Sequence, residues 1–128
     1  MKNRLILLSL ATGIALGAPM AALAHSSVAS STPAEGTTVK AVRSITLNFS
    51  ETMIPATTST QLVMTAMPGA ANHGTMQIKN FTTAWSNGNK TMTLSLGSAL
   101  KAGTYEARWQ GAGADGHRMS GKLTFKVG

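Results

Sequence analysis

The chain has 128 residues, no cysteine and a formal charge of +7 at neutral pH. The lack of cysteine excludes a disulfide framework and any thiolate metal site, so stability must come from packing and soft-metal affinity from methionine thioethers. The positive charge invites a nucleic-acid reading, but the Lys and Arg residues are scattered and only three Phe, two Trp and one Tyr accompany them. A solvated basic surface suited to an anionic partner or membrane face is the better reading, with no nucleic acid involved.

Residues 1–24 have the layout of a secretory signal peptide. Lys2 and Arg4 make a basic start, Leu5 to Leu16 an apolar run, and Ala22-x-Ala24 a small-residue cleavage pattern. The run is short for a membrane span and no second apolar segment follows, so it is expected to be removed after Ala24, leaving a product that does not span the membrane. Residues 25–128 then form one small domain that starts with a histidine, and loss of Lys2 and Arg4 takes the formal charge from +7 to +5.

Along that domain apolar and polar residues alternate, and no long amphipathic helix is visible. Val28 sits in a first short strand, followed by the turn-like run Ser31 to Gly36. Val42 to Phe49 predicts a half-buried strand with Ile45, Leu47 and Phe49 on one face. Ser50 to Thr58, with Pro55, reads as a loop or irregular turn. Gln61 to Ala66 predicts a strand ended by Pro68-Gly69, and Gln77 to Phe81 another. Ser86-Asn87-Gly88-Asn89 is a turn, after which Met92, Leu94 and Leu96 alternate. Tyr105, Ala107 and Trp109 share one face of the next strand, and Leu123, Phe125 and Val127 one face of the last. About seven such strands with regularly spaced turns argue for an all-β fold, a small antiparallel Greek-key β-sandwich or barrel of immunoglobulin-like kind. Trp85 and Trp109 are expected in or beside its core.

Three histidines fall where strands end or loops run: His25, His73 and His117. Each alone reads more readily as an exposed or hydrogen-bonded loop residue than as a ligand. A mature N-terminal His25 would offer its α-amino group and imidazole together, however, and Asp115 with His117 forms a pair on one face of an extended segment. Those two can be two ligands, or a ligand and its orienting carboxylate; Asp115-Gly116 also reads as a simple turn. Nitrogen donors completed by oxygen suit Cu(II). A second cluster, Met64, Met67, His73 and Met76, straddles Pro68-Gly69 and offers soft donors for Cu(I). In a regular strand Met64 and Met67 would point to opposite faces, so sharing one ion requires a bend near Thr65.

His25, the run Ser30 to Gly36, Leu47-Asn48-Phe49-Ser50-Glu51, Leu62 to Gly69, Gly103-Thr104-Tyr105 and Asp115-x-His117 together resemble the CopC/PcoC family of periplasmic copper-resistance proteins. The resemblance spans essentially the whole mature chain. It implies a Greek-key sandwich that carries copper in the periplasm and is not an enzyme. Cu(II) would be held by His25, Asp115, His117 and Glu51, and Cu(I) by Met64, Met67, His73 and Met76. The implied partners are an inner-membrane copper transporter of the CopD type and other periplasmic copper-resistance proteins. The chain departs from the family pattern at Ala70-Ala71, where another methionine is common, and at Arg118, where a proline is common. A histidine-brace copper monooxygenase and a metal-free immunoglobulin-like interaction module are the alternatives from other classes. In the uncut precursor the α-nitrogen of His25 is a peptide nitrogen, so the Cu(II) site is expected to be complete only after cleavage.

Overall fold

Alternation at every second residue puts one side of each strand against an apolar core and the other in water, and two such faces close against each other. The computed structural model describes residues 27–69 and 74–128. The expected signal peptide, His25, Ala70-Ala71 and His73 lie outside the described residues. Among those described, the strands are β1 (Val28–Thr32), β2 (Thr38–Val39), β3 (Ser44–Phe49), β4 (Ser59–Ala66), β5 (Met76–Ile78), β6 (Phe81–Ser86), β7 (Thr91–Leu96), β8 (Gly103–Ala112) and β9 (Arg118–Val127). One 3-10 turn, Pro55–Thr57, lies in the irregular segment expected there. No helix among the described residues is long and apolar enough to cross a membrane.

The strands form two sheets, ordered β1-β3-β7-β6 and β2-β9-β8-β4-β5. Successive elements pass back and forth between the two, which gives the Greek-key sandwich. Pairing is antiparallel throughout except for the short parallel match of β2 with β9. Two elements go beyond the strands expected from the sequence. The residues of β2 are too few to alternate, and β6 is a sheet edge whose residues are mostly exposed, so neither carries the pattern of a half-buried strand.

The inward faces are those the alternation indicates. Ile45, Leu47, Leu62, Leu94, Tyr105 and Phe125 are fully excluded from solvent. Phe49 anchors one end of the core, with the half-buried Trp85 stacked at 5.9 Å and Trp109 edge-on at 4.9 Å. Gly121 lies opposite Trp109, where an added Cβ would come within 2.9 Å of the indole, so a strand-interior glycine makes room for the ring. At the other end Tyr105 stacks on Phe125 at 5.7 Å and its hydroxyl donates to the Lys101 carbonyl at 2.6 Å. That bond to backbone four residues upstream is like the tyrosine corner of immunoglobulin-like sandwiches. Loss of solvation pushes the phenol pKa up.

The strands depart from regular geometry at two places. The β6–β7 hairpin turns through Asn87, Gly88 and Asn89, all left-handed, which explains the Asn-Gly-Asn sequence. In β4 the register with β8 moves from Met64 opposite Tyr105 to Ala66 opposite Thr104, leaving Thr65 as one extra residue. This bulge shifts the alternation by one, so Met67 packs against the same core that holds Met64. The bend required near Thr65 is therefore present.

With no disulfide, stability depends on this burial. Leu94→Ala should cost about 2–5 kcal/mol, and Tyr105→Phe only about 0.5–1.5 kcal/mol, because the hydrogen bond is lost but the ring remains. Urea unfolding with unchanged slope checks both; the reverse order of costs would mean the core is organised differently.

Candidate metal centres

The first centre is assembled by backbone pairing between distant segments. The Ser50 amide donates to the Ser27 carbonyl at 2.7 Å, which fixes the start of the described chain beside the end of β3. Past Glu51, the chain runs along the end of β8: Met53 bridges Gly113, Ile54 N–H donates to the Ala112 carbonyl, and Ala114 N–H donates to the Thr52 carbonyl, both at 2.9 Å. Glu51 is thereby held next to the 113–117 loop that joins β8 to β9.

The loop is a tight turn. Gly113 N–H donates to the His117 carbonyl at 3.0 Å, Gly116 N–H donates to the Gly113 carbonyl at 2.9 Å, and Gly116 is left-handed at φ +85. Asp115 and His117 therefore meet through a turn rather than along an extended segment. One carboxylate oxygen accepts the His117 N–H at 3.0 Å and the other lies 2.8 Å from Nδ1. The imidazole is 84% exposed, so Nε2 faces outward for a further partner.

Gly113 explains why the donors can gather. A Cβ there would lie 3.1 Å from the Glu51 carboxyl carbon, 3.1 Å from the Met119 methyl carbon and 3.2 Å from Asp115 Oδ1. These groups converge on a place that any other residue would fill. The His117 hydrogen bonds, side chain first and backbone second, hold the Asp115 carboxyl below its usual range. The same side-chain bond raises the His117 pKa, helped by the charges of Asp115 and, more weakly, Glu51. Electrostatically the three belong to one site. Among the described residues, no group of three or more His, Asp or Glu side chains is close enough to enclose a metal ion. Ser27 is buried, and its hydroxyl meets no partner among the described residues.

The second cluster lies at the other end of the sandwich. Met64 is 3% exposed and packs in the core, Met67 is half-buried, and Met76 is 46% exposed. Met76 stands directly opposite Met64 across the β4–β5 pair, so their side chains leave the same face. Met64 also faces Tyr105 near the start of β8, whereas the Asp115 loop follows Ala112 at its end. The seven residue steps from Tyr105 to Ala112 separate the clusters by roughly 24 Å, at about 3.4 Å each. Sequence reasoning gave no role to Gly113 or Met119. The available signal was a methionine two residues beyond His117, in step with it along the incoming strand.

A cysteine-free immunoglobulin-like sandwich with hard donors at one end and thioethers at the other defines the class. The CopC domain model matches residues 28–128, and the chain belongs to the CopC family. It is 42% identical over 123 residues to copper resistance protein C of Pseudomonas syringae pv. tomato, covering 93% of this chain and 94% of that one. It is 32% identical over 115 residues to copper resistance protein C of Escherichia coli, covering 90% of each. The crystal structure of selenomethionine PcoC, a copper resistance protein from Escherichia coli, matches with a TM-score of 0.72 at 33% identity, covering 79% of this chain and 98% of that one. CopC from Methylosinus trichosporium OB3b, at 21% identity and a TM-score of 0.63, shares the fold over 80% of this chain and 93% of its own. The Pseudomonas syringae and Escherichia coli relatives are copper resistance proteins.

In the metal-free protein His117 should titrate above, and Asp115 below, their ordinary ranges, and Asp115→Asn should return His117 towards the usual imidazole value. The raised His117 adds stability that is full below its unfolded pKa and lost as pH rises through its folded one. The depressed Asp115 adds stability present above its unfolded pKa and lost as pH falls through its folded one. The pair is thus intact only between the two folded values. An NMR titration of His117 unaffected by Asp115→Asn would show that the hydrogen bond does not form in solution.

Proposed function

We propose that the protein is a periplasmic copper carrier in copper resistance and homeostasis, exported by a signal peptide cut after Ala24, with Cu(II) at its mature N-terminus and Cu(I) at its methionine cluster. The observation that carries this reading is the convergence of Glu51, Asp115 and His117 beside Ser27, two residues downstream of His25. Two residues span at most about 7 Å, so a chain starting at His25 keeps its amine and imidazole within short reach of that cluster. The amine and the two imidazoles supply nitrogen, and Asp115 and Glu51 supply oxygen, the donor set that Cu(II) favours.

At the opposite end, thioethers from Met64, Met67 and Met76, with His73, form the soft site. Met76 and Met67 give access, while Met64 backs them from the core. Thioethers bind Cu(I) without proton loss and exchange readily with a partner's thioethers, which suits delivery to an inner-membrane transporter of the CopD type or to other periplasmic copper-resistance proteins. The carrier itself catalyses nothing.

One residue added before His25 should weaken Cu(II) binding at least about tenfold, equivalent to about 1.4 kcal/mol, in a competition titration. Unchanged affinity would remove the chelating terminus from the site. Separately, combined Met64→Leu, Met67→Leu and Met76→Leu should lower Cu(I) affinity and leave Cu(II) affinity unaffected. Undiminished Cu(I) binding would make these residues packing alone.

A further inference from the structure

The mature chain's other methionines divide sharply. Met53 and Met92 are fully buried in the core, whereas Met119 is half-buried at the inner, loop-proximal end of β9. Its methyl carbon approaches the vacant Cβ position of Gly113, as do the Glu51 carboxyl carbon and Asp115 Oδ1. Atoms that each lie within 3.2 Å of one point are no farther from one another than twice that distance. The Met119 methyl and both carboxylates therefore lie close together around the bare Gly113 backbone. A Cβ at Gly113 would crowd the thioether methyl and both carboxylates, so the glycine lets all three approach.

We infer that Met119 supplies a thioether to copper at the Asp115–His117 end, giving this hard-donor centre a soft ligand that retains copper as Cu(I). The inference rests on the Cu(II) reading above. Carboxylate and amine donors hold Cu(I) poorly, because that soft ion prefers thioether and, among nitrogen donors, imidazole. The Met119 thioether, with its methyl carbon next to the Asp115 carboxylate that bonds His117, would complete that pair with the imidazole. The side chain's three rotatable bonds let the sulfur move towards the ion without disturbing β9. The centre would then keep its cargo when an external one-electron reductant converts Cu(II) to Cu(I), with no bond made or broken in the protein other than those to the metal. Copper could be held in either oxidation state at one end, independently of the methionine cluster at the other.

The test uses mature protein carrying Met67→Leu and Met76→Leu, so that the second cluster does not mask the result. In this background Met119→Leu, close in volume and therefore compatible with the fold, should lower Cu(I) affinity about tenfold in a competition titration. Cu(II) affinity should fall by less. The one-electron midpoint potential should drop accordingly, by about 59 mV for a tenfold difference between the two effects. X-ray absorption of the Cu(I)-loaded background protein should show a copper–sulfur contact that Met119→Leu abolishes. If Cu(II) binds normally while Cu(I) affinity, potential and the sulfur contact are unaffected by Met119→Leu, Met119 only fills the end of the core and the inference is wrong. If mature wild-type protein takes up no Cu(II), the underlying reading fails and this inference fails with it. A loss of thermal stability in Met119→Leu with copper binding unchanged would likewise assign the residue to packing.

Discussion

The antiparallel match of β8 with β9, unbroken from Gly103–Val127 to Ala112–Arg118, is the constraint on which the rest of the molecule depends. It spans the height of the sandwich, so whatever is attached at one end is fixed relative to the other. The β4 bulge, and with it the methionine cluster, is indexed to its first residues. The Asp115–His117 turn closes its far end. Backbone hydrogen bonds, not side-chain packing, set the separation of the two clusters, so side-chain substitutions can change either cluster without moving it.

If the two clusters serve Cu(II) and Cu(I) as proposed, that separation resolves a chemical conflict. A single site that served both copper oxidation states equally well would have to mix imidazole, carboxylate and several thioethers in one geometry, although the two ions prefer different donors and coordination numbers. A chain without cysteine cannot use thiolate to bridge those preferences. Placing the Met64, Met67 and Met76 thioethers at the β4–β5 edge and the oxygen and nitrogen donors at the β8–β9 turn would let each set adopt its own geometry. The bulge at Thr65 is the backbone device behind the first arrangement, and the bare Gly113 the device behind the second.

Much of the fold was legible in the sequence because burial imposes a period of two. Ile45-Leu47-Phe49, Tyr105-Ala107-Trp109 and Leu123-Phe125-Val127 each announce an inward face, and each is buried. β6 was not legible, since an edge strand with little to bury shows little alternation. Site residues followed another rule. Asp115 and His117 could be paired because they are neighbours, although the turn at Gly116, not an extended segment, joins them. The approach of Glu51 to Asp115 depends on Thr52 and Ile54 bonding to Ala114 and Ala112, contacts between remote segments that no local pattern encodes. The resemblance to the CopC family suggested Glu51; backbone pairing supplies the physical reason for its position. The proximity of Met119 to the carboxylates was hidden for the same reason, because it depends on a missing side chain at Gly113.

The Asp115–His117 bond also governs how the hard-donor centre negotiates with protons. In the neutral ring, Nδ1–H donation to the carboxylate leaves the lone pair on Nε2, the exposed nitrogen. The carboxylate thus selects the tautomer that can bind metal and makes its nitrogen more basic, which strengthens a metal bond. The same basicity raises the affinity of Nε2 for a proton, so the centre gains metal affinity and acid sensitivity together. Each Asp115 oxygen keeps a lone pair beyond its bond to His117, so in the proposed Cu(II) site Asp115 can orient the imidazole and still donate to the ion. Glu51, close enough for its charge to act on His117, adds a second carboxylate to that proposed site. On that reading Asp115 has two tasks, holding the imidazole and donating oxygen, and Glu51 has one.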